Sequence, residues 1–207
     1  MRQIHTALFA ALVVAGLGAC QQQEPAPAPQ PGATADAPAV PAEAGSNVTA
    51  AGNTATAELA PTEGSQVRGN VTFTVVNGRV HANGEITGLA PDSEHGFHIH
   101  ESGDCSAPDG SSAGGHFNPA GLAHGSIDAA PHHGRDTPNL TDDARGGAKV
   151  DTPLAPHVDI GGDAAFDIVG KGLIVHADPD DYATQPTGNA GARLACAVIA
   201  AGEVASR

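Results

Sequence analysis

The chain has no tryptophan, one tyrosine and five phenylalanines. Its core must therefore come from Val, Ile, Leu and Ala rather than from packed rings. It has two lysines, Lys149 and Lys171, and nine basic residues in all against 23 acidic ones. A net charge of −14 excludes nucleic-acid binding and polybasic attachment to a membrane, both of which need Lys and Arg against phosphates. No window of helix length carries helical periodicity, and 27 glycines with 16 prolines favour short strands joined by turns. The apolar run Ala7–Leu17 is too short to cross a bilayer. What the chain has in excess is histidine. There are eleven, and His95, His98, His100, His116, His124, His132 and His133 fall in one stretch.

Arg2, the apolar run and a small-residue end make residues 1–19 an export signal. Leu17-Gly18-Ala19-Cys20 resembles the bacterial lipobox, in which the Cys becomes the lipidated N-terminus. Cys20 is then the expected lipid anchor to a membrane of the cell envelope. Gln21, in place of Asp, points to the outer membrane of a Gram-negative cell, facing the periplasm. The alternative is an ordinary secretory signal cut near Ala19. Residues 21–45 hold six Pro and eight Ala, too little to bury for a fold. Residues 20–50 are expected to be a lipidated, disordered tether, and 51–207 the folded domain. With Cys20 lipidated, Cys105 and Cys196 remain, an even pair that reads as one disulfide in an exported protein.

Strand signals recur through that domain. They cover Thr54–Leu59, Val67–Val76, Arg79–Leu89, His95–His100, Ala148–Asp151, Ala165–Val169, Leu173–His176 and Leu194–Ala200. Val71, Phe73 and Val75 alternate with Thr72 and Thr74, the period of a half-buried strand. Asn77-Gly78 is a hairpin signal. The class is all-β, an antiparallel sandwich or barrel. Residues 101–145 show no strand pattern and carry much of the histidine. A loop that long is usually functional.

His98 and His100 stand at i and i+2 on a strand, so both rings project from one face. Converging neutral imidazoles suit copper or zinc. His116, His124, His133 and Asp136 follow in the loop, and three imidazoles with a carboxylate suit zinc. Gly114-Gly115-His116, His124-Gly125 and His133-Gly134 let backbone turn tightly around a small site.

At this point the motifs resemble those of copper/zinc superoxide dismutase. They are Gly96-Phe97-His98-Ile99-His100-Glu101, Gly115-His116-Phe117-Asn118-Pro119, His124-Gly125, Val175-His176 and Gly188-Asn189-Ala190-Gly191-Ala192-Arg193-Leu194-Ala195-Cys196. They occur in the family's order and span the folded part. The resemblance implies an eight-stranded antiparallel Greek-key barrel or sandwich, immunoglobulin-like, with long metal-binding and active-site loops. It implies one copper per chain on His98, His100, His116 and His176, and one zinc on His116, His124, His133 and Asp136. His116 would bridge the metals and carry a proton for the product. Cys105–Cys196 would be the disulfide, and Arg193 would hold the superoxide anion over copper. Asp180 would be a carboxylate behind the ligands, bonded to one imidazole of each metal. The activity implied is disproportionation of superoxide to O2 and H2O2, by a monomer or a homodimer.

One departure concerns zinc. The family's His-x-Gly-Asp reads here His132-His133-Gly134-Arg135-Asp136. Glycine spacing selects His132, whereas spacing to the Asp and to His124 selects His133, which is the expectation. His81, His95 and His157 match no ligand position and are expected at the surface or in a structural role. The rival from another class is a periplasmic protein that buffers or delivers copper and zinc without turnover. Delivery favours soft Cys or Met ligands for Cu(I). Here Met1 leaves with the signal and both remaining cysteines are committed to the disulfide.

Overall fold

Period-two alternation builds the first hairpins of the fold. In β1 (Thr54–Pro61), Ala55, Ala57 and Leu59 are buried while Thr56 and Glu58 are exposed. In β2 (Arg68–Val76), Val71 and Phe73 point inward. In β3 (Arg79–Thr87), Val80, Ala82 and Ile86 do so. Asn77 and Gly78 join β2 to β3, both with positive φ (51° and 76°), as a type I′ turn requires. The computed structural model describes residues 54–125, 137–154, 156 and 158–202. The expected signal, Cys20 and the tether lie outside these residues.

The other strands are short: β4 (Glu94–His95), β5 (Phe97–His100), β6 (Leu140–Thr141), β7 (Gly147–Pro153), β8 (Gly172–His176), β9 (Arg193–Val198) and β10 (Ala200–Ala201). Their pairing is antiparallel throughout. One sheet runs β5-β8-β9-β1-β2-β3-β7, with β10 also on β1 and with β4-β6 as a separate pair. It curls at β1, which pairs with β2 along most of its length and passes to β9 at Ala60 and Pro61. The chain leaves β3 near one edge and re-enters as β5 at the other, so this is an all-β, Greek-key architecture. Phe73, Ile86, Phe97, Ile99, Leu173, Val175 and Ile199 meet in the core between the halves.

Two expectations change. Ala165–Val169 is not a strand; it is a turn with a single bridge, Asp159 to Asp167. Asp163 and Asp167 side chains accept the N–H groups of Ala165 and Val169, and such local bonds compete with a ladder. The strand expected over His95–His100 is broken at Gly96, whose N–H bonds to Asp178 O instead (2.9 Å). A Cβ at Gly96 would press on Ala190 and on the His98 ring.

The outer face of β5 and β8 positions the site. Phe97 and Ile99 enter the core, which turns His98 and His100 outward. On β8, Leu173 and Val175 are core and Ile174 and His176 share the outer face. That face is roofed by the segment after β5. There a 3-10 turn at Ser111–Ala113 brings Ala113 onto Ile174 and Cys196. Gly172 leaves the room for it: a Cβ there would lie 3.2 Å from Ala113 and 3.4 Å from His100. The disulfide Cys105–Cys196 (Cα–Cα 5.8 Å) staples this roof to β9. Closing a 91-residue loop stabilises the fold by roughly 4–5 kcal/mol in the chain-entropy account.

Candidate metal centre

Three strand residues and one loop residue bring four buried imidazoles together. His98, His100, His116 and His176 each offer a ring nitrogen, and these nitrogens lie within 4.8 Å of one another. Alternation on β5 supplies the first two, and the end of β8 supplies His176. His116 returns antiparallel beside the exposed edge of β5, held by a bridge to His100 and by Phe117 N–H to Ile99 O (2.9 Å).

Hydrogen bonds select which nitrogen of each ring faces inward. His98 gives Nε2 to Asp180 Oδ2 (2.8 Å), and its buried Nδ1 meets no hydrogen-bond partner among the described residues. His100 gives Nδ1 to Gly114 O (2.9 Å) and His176 gives Nδ1 to Gly191 O (3.3 Å), so their Nε2 atoms converge at 3.3 Å. Among the described residues His116 meets no hydrogen-bond partner at either buried nitrogen. Its ring lies 4.2 Å from that of His98 and 5.4 Å from that of His124, centre to centre. Buried nitrogens without partners are costly unless something else satisfies them. A soft-to-borderline cation on neutral imidazoles does so, and the donor set fits copper or zinc.

Burial keeps His100, His116 and His176 neutral. It pushes His100 down to about 2, against the pull of the Gly114 carbonyl, with His176, Arg193 and His98 adding to the shift. It pushes His176 down to about 3, with His98 and Arg193 contributing. Burial also lowers His116, helped by His98, His100, His124 and His176. The lone pairs are thus available at neutral pH.

Asp180 joins strand and loop. Its Oδ1 accepts from His124 Nε2 (2.8 Å) and from Tyr182 N–H (2.7 Å), while Oδ2 serves His98. Burial would raise this carboxyl, but the bonds from His124, His98 and the Tyr182 amide hold it well below the carboxylate range. Asn139 grips its backbone at both ends (2.8 and 3.0 Å), and Gln185 grips the His124 backbone likewise (both 2.9 Å). A Cβ at Gly188 would overlap Asp180 Oδ1, which is why only glycine suits that place in its motif.

Arg193 comes beside His176 through a bulge: the β8–β9 register shifts between Val175 and His176. Bulges re-aim side chains in this way. Its Nη1 and Nη2 donate to Gly110 O and Gly114 O, both at 2.6 Å. Gly114 O thus serves Arg193 and His100 at once. A Cβ at Gly114 would crowd the Glu101 carboxylate, which accepts from Gly115 N–H (3.0 Å).

The structure therefore brings together His98, His100, His116, His176, His124, Asp180 and Arg193, and it forms Cys105–Cys196. His132, His133, Asp136 and His157 lie outside the described residues. His95 is buried, with ring nitrogens engaged, and has a structural place; His81 is half-buried, 3.6 Å from Asp151. Sequence reasoning did not single out Asn139, Gln185, Glu101 or the Gly114 carbonyl. The positive-φ glycines around the histidines were the available signal for the last.

The chain matches the family described as Copper/zinc superoxide dismutase (SODC) over residues 67–199. It is similar to Cu-Zn superoxide dismutase 2 of Aquifex aeolicus (strain VF5), at 41% identity over 146 residues, 69% of this chain and 84% of that one. It is 42% identical over 115 residues to the superoxide dismutase-like protein YojM of Bacillus subtilis (strain 168), covering 54% of this chain and 58% of that one. Among solved structures it resembles the clock protein EA4, with a TM-score of 0.63 and 39% identity over 72% of this chain and 94% of that one. It also resembles a SOD-like protein from Bacillus subtilis, with a TM-score of 0.60 and 36% identity over 69% of this chain and 96% of that one. Strand order, convergent imidazoles, disulfide and sequence agree, and the chain belongs to the copper/zinc superoxide dismutase family.

Proposed function

We propose that this protein is a superoxide dismutase that binds one copper and one zinc per chain. The observation that carries the reading is the buried set of four convergent imidazoles beside an arginine whose fork is fixed by two carbonyls. Copper would be held by His98 Nδ1, His100 Nε2, His176 Nε2 and one nitrogen of His116. Zinc would be held by the other nitrogen of His116 with His124, His133 and Asp136. Bound copper supplies a one-electron couple, so that two superoxides and two protons become O2 and H2O2.

The chain's own residues do the rest. Arg193 receives the anion: two of its five N–H donors are spent on carbonyls, and the others remain for oxygen. This local cation offsets the repulsion of a net charge of −14. His116, with no hydrogen-bond partner at its nitrogens among the described residues, can hold a proton at one of them and release it to the reduced product. Asp180 fixes the tautomers of His98 and His124, the usual task of a carboxylate behind a metal ligand.

The test is superoxide dismutation by the purified protein, metal-free and after loading with copper and zinc. Full activity only with copper supports the reading. A protein that binds both metals and does not turn over is instead a metal-binding relative. The lipobox-like Leu17–Cys20 supports a lipid anchor at Cys20, which would hold the enzyme in the cell envelope, on the outer membrane. Cys20→Ser should then release the protein from membranes; continued fractionation with them refutes the anchor.

A further inference from the structure

The guanidinium of Arg193 is fixed by two carbonyls, but its backbone stands where the sheet is irregular. On the β8 side the ladder passes from Val175–Ala195 to His176–Arg193 and skips Leu194. A bulge leaves backbone less regularly paired. On the other side, β1 pairs with β9 only through Ala60–Cys196 and Pro61–Ala195, and a proline has no N–H to give. Thr62 carries the contact one residue further. Its N–H donates to Leu194 O (3.0 Å). Its hydroxyl donates to Arg193 O at 2.6 Å, across a sequence separation of 131.

The same corner reaches the segment that holds the guanidinium. Glu63 N–H donates to Pro108 O (2.7 Å), shortly before Gly110, whose carbonyl takes Arg193 Nη1. Gly110 itself lies between the two side chains: a Cβ there would be 3.3 Å from Thr62 Cγ2 and 3.4 Å from Arg193 Cδ. Packing alone does not join corner and roof, because both line an open cleft of about 320 Å³, with Pro61 and Thr62 on one side and Cys105 and Pro108 on the other. The hydrogen bonds of Thr62 and Glu63 span that gap at its rim.

We infer that Thr62 is a positioning residue for Arg193, and that the corner after β1 is the common footing of the arginine clamp. It holds the Arg193 backbone through the Thr62 hydroxyl, and the segment of the Gly110 carbonyl through Glu63 N–H. The inference rests on the reading of Arg193 as the group that receives the anion. Thr62 touches no reacting atom; it acts through the backbone of the arginine. Loss of its hydroxyl leaves the charge in place and frees its direction, so anion docking should weaken while both metals stay.

The test uses Thr62→Val, Thr62→Ser, Arg193→Ala and the double variant Thr62→Val with Arg193→Ala. Two quantities are measured on the copper- and zinc-loaded protein: kcat/KM for superoxide, and the affinity of azide, a monoanionic copper ligand, from the visible absorption of Cu(II). A third is measured on the metal-free protein: solvent exchange of the Arg193 guanidinium protons by nuclear magnetic resonance. Thr62→Val should lower kcat/KM and azide affinity about threefold each, within the worth of one neutral hydrogen bond, with metal content unchanged and guanidinium exchange quickened. Thr62→Ser, which keeps the hydroxyl, should match the wild type. In the Arg193→Ala background Thr62→Val should cost nothing further, the non-additivity of residues in one network. Equal losses in both backgrounds reduce Thr62 to general stability and overturn the inference. Wild-type azide affinity and guanidinium exchange in a folded Thr62→Val protein overturn it too; if that variant does not fold, Thr62→Ala decides by the same measures. An Arg193→Ala protein with full rate and full azide affinity overturns the reading of Arg193 itself and is told apart because Thr62 is intact in it. A loaded wild type that does not turn over removes the proposed activity, and azide affinity and guanidinium exchange then decide the role of Thr62.

Discussion

The two sides of the site are held by different means. His98, His100, His176 and Arg193 ride on β5, β8 and β9, where the ladder fixes their spacing and the core beneath fixes their height. His116 and His124 lie on irregular chain, where position is assembled from single bonds: one bridge to β5, the two bonds of Gln185 and the Asp180 carboxylate. The strand side is preorganised by folding. The loop side is organised by side chains, and Asp180 is bonded to a histidine on each. A ligand lost from the strand side should therefore remove a function, whereas one lost from the loop side, apart from the shared His116, should loosen a structure.

The largest expected effect tests that contrast directly. His100→Ala should abolish dismutation yet leave a folded protein that still takes up zinc. His124→Ala should lose zinc, keep copper and retain part of the activity. Elemental analysis alongside the rate checks both, and loss of copper in His124→Ala breaks the distinction. Asp180→Ala comes next, since it cuts the link. Outer carboxylates of this kind are worth about 10- to 100-fold in metal affinity, and here both metals should weaken together, as competition with a chelator would show.

Arg193→Ala should keep both metals and lose about tenfold in kcat/KM, equivalent to about 1.4 kcal/mol in the barrier. Arg193→Lys should retain more, because it keeps the charge and loses the fork. An unchanged rate in the metal-replete alanine variant removes the anion-docking role. The mildest effect is graded with pH. In the metal-free protein, the native rings of His100 and His176 stay neutral down to about 2 and about 3, whereas the unfolded rings protonate near 6.5. Between these limits the unfolded chain binds more protons, so stability falls as pH is lowered from about 6.5. Each ring contributes at most about 1.4 kcal/mol per pH unit. Above that range these groups should give no slope, and bound metal should flatten the decline, which denaturant titrations at several pH values would measure.

Much of the strand side was legible in the sequence, because alternation is a property of strands: His98 and His100 at i and i+2 had to share a face. The hairpin at Asn77-Gly78 was legible for the same local reason. The break at Gly96 was not, since it depends on the distant Asp178 carbonyl and on Ala190. Ala165–Val169 misled because its apolar residues suit a strand while its aspartates cap turns. His95 matched no ligand spacing, and only the tertiary fold reveals that its partner is a carbonyl. Gly114 O is less visible still, because every residue carries such an acceptor and nothing in a side chain marks the one that is used.

The path of β1 has a consequence for the order in which the molecule can form. Ala60 pairs with Cys196 and Ala55 with Ala201, so the first strand finds two of its partners only at the far end of the chain. The β1–β2–β3 meander can close early, but the strands that carry His98, His100 and His176 wait for β9. Pairings this remote make folding slow, on the scale of milliseconds to seconds. A ribosome adding about 5–20 residues per second leaves that edge of β1 open until β9 and β10 have been made. Until then the chain has no finished barrel, and its first hairpins stand without the strands that close it.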